Sequence, residues 1–207
     1  MDFILKQFDI TKRDIYLYNE IDEISAQDFI KQSKEIVSLD KEIIINNINT
    51  LKFLYPNIDN SIITNITNDI PEINIYLNSI GGIIYQGLSI YDNIKLLNKH
   101  TKTNIIASGT CMSMGVIILL SLPYEQRKCT KNTTFLIHQA SGFSIGKIGD
   151  LEDYTKEVKR QNELLFNIIS ENTSITKEQL EDNYNKKEDW FFTAEDALKL
   201  KIVSEII

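Results

Sequence analysis

Acyl transfer by a protein needs a nucleophile, a base to take its proton and a third group to hold the base in the right tautomer. One serine in the chain is set apart for the first role. In "GTCMSMG" (109–115), Ser113 stands between an apolar strand pattern, "TNIIAS" (103–108), and an apolar helix pattern from Met114 to Leu120. A serine at that junction points its hydroxyl out of the turn. Beside it lie the N–H groups of the first helical turn, unpaired and carrying the positive end of the helix dipole. A carbonyl attacked by Ser113 would set its developing oxyanion against the N–H of Met114. Gly109 and Gly115 let the flanking backbones approach. The competing reading of the same residues is an ordinary helix cap.

The base must be one of two histidines. His100, in "LNKHTKT", lies in a polar turn and reads as a solvated surface residue. His138 ends the apolar strand "TFLIH" (134–138), at the sheet edge where the glycine turns lie; the alternative there is a buried structural histidine. For the third group, Asp189 in "KKEDWFF" is flanked by apolar residues, but spacing alone does not choose it over Glu188 or Asp182.

The elements that would position these groups follow from periodicity. After a short N-terminal segment (1–14), "IYLYNEI" (15–21) reads as a strand and "SAQDFIKQSKEIVSL" (25–39) as an amphipathic helix opened by Ser25. The Asn- and Ile-rich stretch 40–70 has no clear period and leaves a short helix or an insertion open. "INIYL" from Ile73 is a strand, "NSIGG" a turn and 83–98 a helix, and the order then repeats around Ser113. Strand, glycine turn and helix twice over imply a parallel sheet, whose ligands bind at the carboxyl ends of its strands. Beyond 138 come a Gly-rich loop, a long mixed-charge helix, a "TKEQ" capping box (176–179), the helix "TAEDALKL" and a last strand "KIVSEI".

At 207 residues the chain reads as one domain, 43% hydrophobic and 25% charged. Its net charge of -7 argues against a nucleic-acid or anionic-membrane surface. Cys111 and Cys129 are too few and too far apart for a disulfide scaffold or a zinc knuckle. Charges from position 2 onward leave no signal-peptide core, so a cytoplasmic, reducing location is expected. The uncharged run 104–124 is interrupted by Ser, Gly and Thr and does not read as a membrane span. "GFSIGKIG" (142–149) has three residues between glycines where a phosphate loop has four, so no cofactor is expected and any ATP dependence belongs to a partner.

"YLNSIGGIIYQGLSIYDNIKLL", "GTCMSMGVIILLS", "LIHQASG" and "EDWFFTAEDALKLKIVSEI" resemble, in order, the signature blocks of the Clp protease proteolytic subunit (ClpP) family of serine peptidases. The 25-residue step from Ser113 to His138 matches that family's spacing. The resemblance implies an α/β, crotonase-like fold of repeated ββα units with a protruding handle helix at 150–172. It implies Ser113 as nucleophile, His138 as general base, Asp189 as its orienting group, and an oxyanion hole from the N–H groups of Gly82 and Met114. It implies that Gly81, Ile83, Ile84 and Gln139 bind unfolded polypeptide as an added strand. Partners implied are further copies in two stacked heptameric rings, and an AAA+ unfoldase. Departures are Ile80 in place of a turn proline and "CMS" in place of "AAS". The alternatives are a non-catalytic ring subunit and an acyl-CoA enzyme of the wider crotonase fold.

Overall fold

A computed structural model describes residues 7–8, 13–68 and 70–207. Much of the N-terminal segment 1–14 therefore lies outside the described residues. The first layer is a sheet of seven strands. Five lie in parallel in the order β1 (Asp14–Leu17), β2 (Ile73–Ser79), β3 (Thr103–Met112), β4 (Arg127–Cys129) and β7 (Glu205–Ile206). The other two are β5 (Thr134–Ile137), parallel to the end of β3, and β6 (Trp190–Phe192), antiparallel to β5.

Helices cover one face of this sheet: α1 (Glu23–Leu54), α3 (Ile84–His100) and α4 (Met114–Leu119), with the short α2 (Asn60–Asn68) following α1. The period-2 pattern explains why that face is the core. In β2, Ile73, Ile75 and Leu77 are wholly buried while Asn74, Tyr76 and Asn78 point to the other side. Each such side chain contributes about 1.5–3 kcal/mol on burial. The opposite face is open, and there Tyr16 stacks on Tyr76 with ring centroids 5.2 Å apart while Tyr18 meets Tyr16 edge-on. Among the described residues no helix is long and apolar enough to cross a membrane.

The first strand and α1 differ from the sequence reading. The first strand ends at Leu17, and Ile21 survives only as an isolated bridge to Gly82. α1 opens at Asp22, whose carboxylate accepts from the Ser25 N–H at 2.8 Å while Ser25 Oγ accepts from the Asp22 N–H at 2.9 Å; Ser25 completes the cap and does not start it. The helix then runs through the expected end at 39 to Leu54, where Pro56 stops it, so part of the stretch 40–70 is helix continuing from α1.

At the start of the extension α1 carries a buried ion cluster. Asp40 is 2% exposed on the core side of α1, and Arg13 reaches it through two N–H groups at 2.6 and 3.2 Å. His100 Nε2 lies 2.8 Å from the same carboxylate. His100 is thus not the solvated surface residue expected of a polar turn: the carboxylate 60 positions earlier in the chain draws the imidazole inward.

Candidate active site

Strand β3 does not stop at residue 108 as its pattern suggests. Gly109, at φ +66°, lets it bend, and Asn78 Oδ1 fixes the bend by accepting from the Thr110 N–H at 3.1 Å and its hydroxyl at 2.9 Å. The strand changes neighbours there: Ile105 to Ala107 pair with β4, and Thr110 to Met112 pair with β5. Ser113 then turns the chain into α4 with φ 52° and ψ -120°. A capping serine has β-region backbone and gives its oxygen to an N–H two or three residues on. Ser113 has neither property, since its side chain makes no cap hydrogen bond. Holding a β-carbon residue there costs on the order of 1–3 kcal/mol and leaves the hydroxyl free.

The second glycine turn is pressed against the first. Ile21 donates its N–H to the Gly81 carbonyl at 2.8 Å and accepts from the Ile83 N–H at 2.7 Å. The residue between, Gly82, therefore directs its N–H away from Ile21, and among the described residues it has no backbone acceptor. Met114 opens α4, so its N–H is one of the orphans of a helix start. Gly81 is required by contact: a β-carbon there would stand 2.6 Å from Ser113 Cβ and 3.0 Å from Met114 N. Ser79 Oγ anchors this turn, donating to the Asn19 carbonyl at 2.7 Å and accepting from the Gly81 N–H at 3.1 Å.

His138 enters from β5. Met112 pairs with Leu136, and the Ser113 N–H donates to the Leu136 carbonyl at 2.8 Å, so the histidine follows within two residues on the adjacent strand. Ser113, His138, Gly82 and Met114 line one cavity of about 70 Å³. Its remaining walls are mostly apolar, with Ile84 and Ile117 on one side and Leu165, Phe166 and Ile169 of α5 (Ile148–Asn172) on the other.

Asp189 is exposed, one residue before β6. The β5–β6 register pairs Ile137 with Trp190, and one further step along it sets His138 opposite Asp189. Antiparallel partners have Cβ atoms about 4.5–5.5 Å apart, within reach of a carboxylate to an imidazole. Among the described residues, no hydrogen bond or ion pair joins the side chains of Ser113, His138 and Asp189. Glu188 and Asp182, the other carboxylates weighed, lie off this register. Of the expected substrate contacts, only Ile84 lines the cavity; Gly81 is buried, Ile83 is exposed and the half-buried Gln139 follows His138, none of these three among its lining residues.

Two contacts with α5 escape a reading of the sequence. Asn162, 5% exposed on the cavity wall, accepts from the Ala140 N–H at 2.9 Å. Its signal was faint, one of two adjacent amides, with Gln161, on the buried side of an amphipathic helix. Tyr85 donates its hydroxyl to Glu157 at 2.5 Å, and Arg160 grips the same carboxylate at 2.8 and 2.7 Å. The Arg160 hydrogen bond first, then Tyr85, hold the Glu157 carboxyl down at about 2. Cys111, two residues before Ser113, is fully buried and its thiol is pushed up by that burial, so it does not compete as a nucleophile.

Comparison with known proteins agrees with this architecture. The family profile described as Clp protease matches residues 53–207. The ATP-dependent Clp protease proteolytic subunit 3 of Rhizobium etli is 35% identical over 136 residues, which are 66% of this chain and 68% of that protein. The ATP-dependent Clp protease proteolytic subunit of Deinococcus radiodurans is 33% identical over 136 residues, 66% of this chain and 65% of its own length. Among solved structures, a mutant ClpP1 from Listeria monocytogenes superposes with a TM-score of 0.70 at 27% identity, covering 96% of this chain and 92% of its own.

Proposed function

The chain belongs to the Clp protease family, and from that premise we propose that it is a serine endopeptidase acting on unfolded polypeptide through an acyl-enzyme. The observation that carries this reading is Ser113 itself. Its backbone is strained, its hydroxyl is released from capping, and it shares a cavity with His138 and with the outward N–H of Gly82. In the proposed reaction Ser113 Oγ attacks the scissile carbonyl while His138 takes its proton and later returns it to the leaving amine. Asp189 holds the imidazolium, and the N–H groups of Gly82 and Met114 receive the oxyanion. Water then hydrolyses the ester by the same route. The substrate lies extended between the segment Gly81 to Ile84 and Gln139, with an apolar side chain seated among Ile84, Ile117 and Leu165.

We further propose assembly into stacked heptameric rings in the cytoplasm, served by an AAA+ unfoldase. Support for self-association comes from the open sheet face. Parallel sheets are normally covered on both sides, whereas here Tyr16 and Tyr18 are 59% and 51% exposed.

The test is labelling by a serine-reactive fluorophosphonate together with cleavage of an unfolded protein. Both are expected in the wild type and absent in Ser113→Ala, and persistence of either in the variant refutes the assignment. One observation favours a second reading, a ring subunit that does not cleave: the three side chains of the proposed triad are not hydrogen-bonded to one another. Catalytic hydrogen bonds often tighten only when substrate is bound. Rings that form but never label would establish the second reading.

A further inference from the structure

Resting on the peptidase reading, we infer that α5 sets the width of the substrate cleft and that Tyr85 is the positioning residue through which it does so. An extended peptide paired on both sides needs walls about 9.5 Å apart, twice the strand spacing of about 4.7–4.9 Å. The two walls here belong to elements far apart in sequence, the segment Gly81 to Ile84 and the chain after His138. Each is tied to α5. On one side Tyr85, the second residue of α3, donates its hydroxyl to Glu157 at 2.5 Å. On the other, the Ala140 N–H donates to Asn162 Oδ1 at 2.9 Å.

Glu157 and Asn162 are five residues apart on one rigid helix, about 7.5 Å along its axis. The spacing between the walls is thereby referred to a single solid element instead of to two loops. The Tyr85 end lies at the surface, with Tyr85 55% exposed, and what orders it is the number of contacts converging on one carboxylate. Glu157 also takes both Arg160 contacts, at 2.8 and 2.7 Å, and a weaker one from the buried Gln161 at 3.4 Å. Held by three contacts from two residues, Arg160 and Gln161, the carboxylate offers Tyr85 an oriented acceptor. Ile84, the neighbour of Tyr85, lines the cavity, so a shift of the α3 start moves the substrate wall directly.

Tyr85 touches neither the reacting atoms nor Ser113. Its loss should therefore weaken recognition of an extended chain while sparing the chemistry. The experiment compares the full-length wild type and Tyr85→Phe on two substrates with the same apolar residue at the scissile bond, a fluorogenic tetrapeptide and a single-residue acyl ester. Tyr85→Phe is expected to lower kcat/KM on the tetrapeptide by about tenfold, mainly through KM, the scale of one hydrogen bond to a charged group. Ester turnover and fluorophosphonate labelling should stay within about twofold of wild type. Glu157→Ala should act like Tyr85→Phe, and the double variant should be no worse than either single one. Glu157→Gln, which keeps an acceptor, should retain more tetrapeptide activity than Glu157→Ala. An unmoved ratio of tetrapeptide to ester activity, or additive losses in the double variant, overturns the inference. Absence of labelling in the wild type instead overturns the peptidase reading, and this inference with it.

Discussion

Replacing Ser113 by alanine and by glycine separates a strained nucleophile from a helix cap by stability alone. The residue sits at φ 52° and its side chain caps nothing. Alanine keeps a β-carbon in the same backbone position and removes no hydrogen bond from the helix, so Ser113→Ala should lie within about 0.5 kcal/mol of wild type. Were the hydroxyl a cap, the same change would cost about 1 kcal/mol. Glycine releases the backbone strain of about 1–3 kcal/mol, but loosens the unfolded chain by about 0.4–1 kcal/mol. The net expectation is a gain of up to about 2.6 kcal/mol, centred near about 1.3 kcal/mol, or roughly 3–5 °C in Tm at about 2–4 °C per kcal/mol for a chain of this size. The assay is thermal and denaturant unfolding of the three proteins at one protomer concentration, since assembly shifts apparent stability. An inactive variant more stable than its parent is the distinctive outcome. A glycine variant no more stable than the alanine one, or an alanine variant clearly weaker than wild type, refutes the argument.

Three other outcomes follow from the same geometry. In Gly82→Ala the new β-carbon would stand 2.2 Å from the Ile21 carbonyl oxygen at a φ of +150°, so the turn must move; kcat/KM should fall by about 10²–10³, the cost of one oxyanion donor, as read by peptide cleavage. Asp40→Ala strands the 4% exposed Arg13 beside His100 and should cost about 3–5 kcal/mol in denaturant unfolding, whereas an effect below about 1 kcal/mol would show that water reaches the cluster. The Glu157 carboxyl is lowered to about 2 in the folded chain, so the stability its contacts contribute is present at pH above its ordinary value and is lost as pH falls toward 2; Glu157→Gln should flatten the pH dependence of unfolding between about pH 4.5 and 2 and leave it unchanged near pH 7.

What the sequence made legible was local. Strand, glycine and helix around Ser113 form a contiguous pattern, and His138 closes an apolar run, so both stand out as candidates locally, while the roles expected of them came from the family resemblance. The β5–β6 ladder is a different matter: β6 has three residues, too few for a period, so spacing left Asp189 beside Glu188 and Asp182, the family resemblance pointed to Asp189, and the register one step on sets it opposite His138. Long-range pairing was equally invisible. His100 read as solvated because its neighbours are polar, and the Asp40 that holds it half-buried is 60 positions away. The run of α1 past residue 39 was hidden by an Asn- and Ile-rich stretch of middling helix propensity, where the Arg13 contact to Asp40 supplies what local preference does not.

The way α5 is held has a mechanical side. At its C-terminal end Ile168 and Ile169 are buried and Arg127 grips the Asn172 carbonyl with two N–H groups at 3.1 Å, while Ile148 at the other end is 77% exposed. It is a rod buried and held at one end and exposed at the other. Measured from the held end, the exposed tip is roughly 36 Å away and Asn162 roughly 15 Å. By that lever ratio, a displacement of the exposed tip about the held end would reach Asn162 and the cleft wall at about two-fifths of its size.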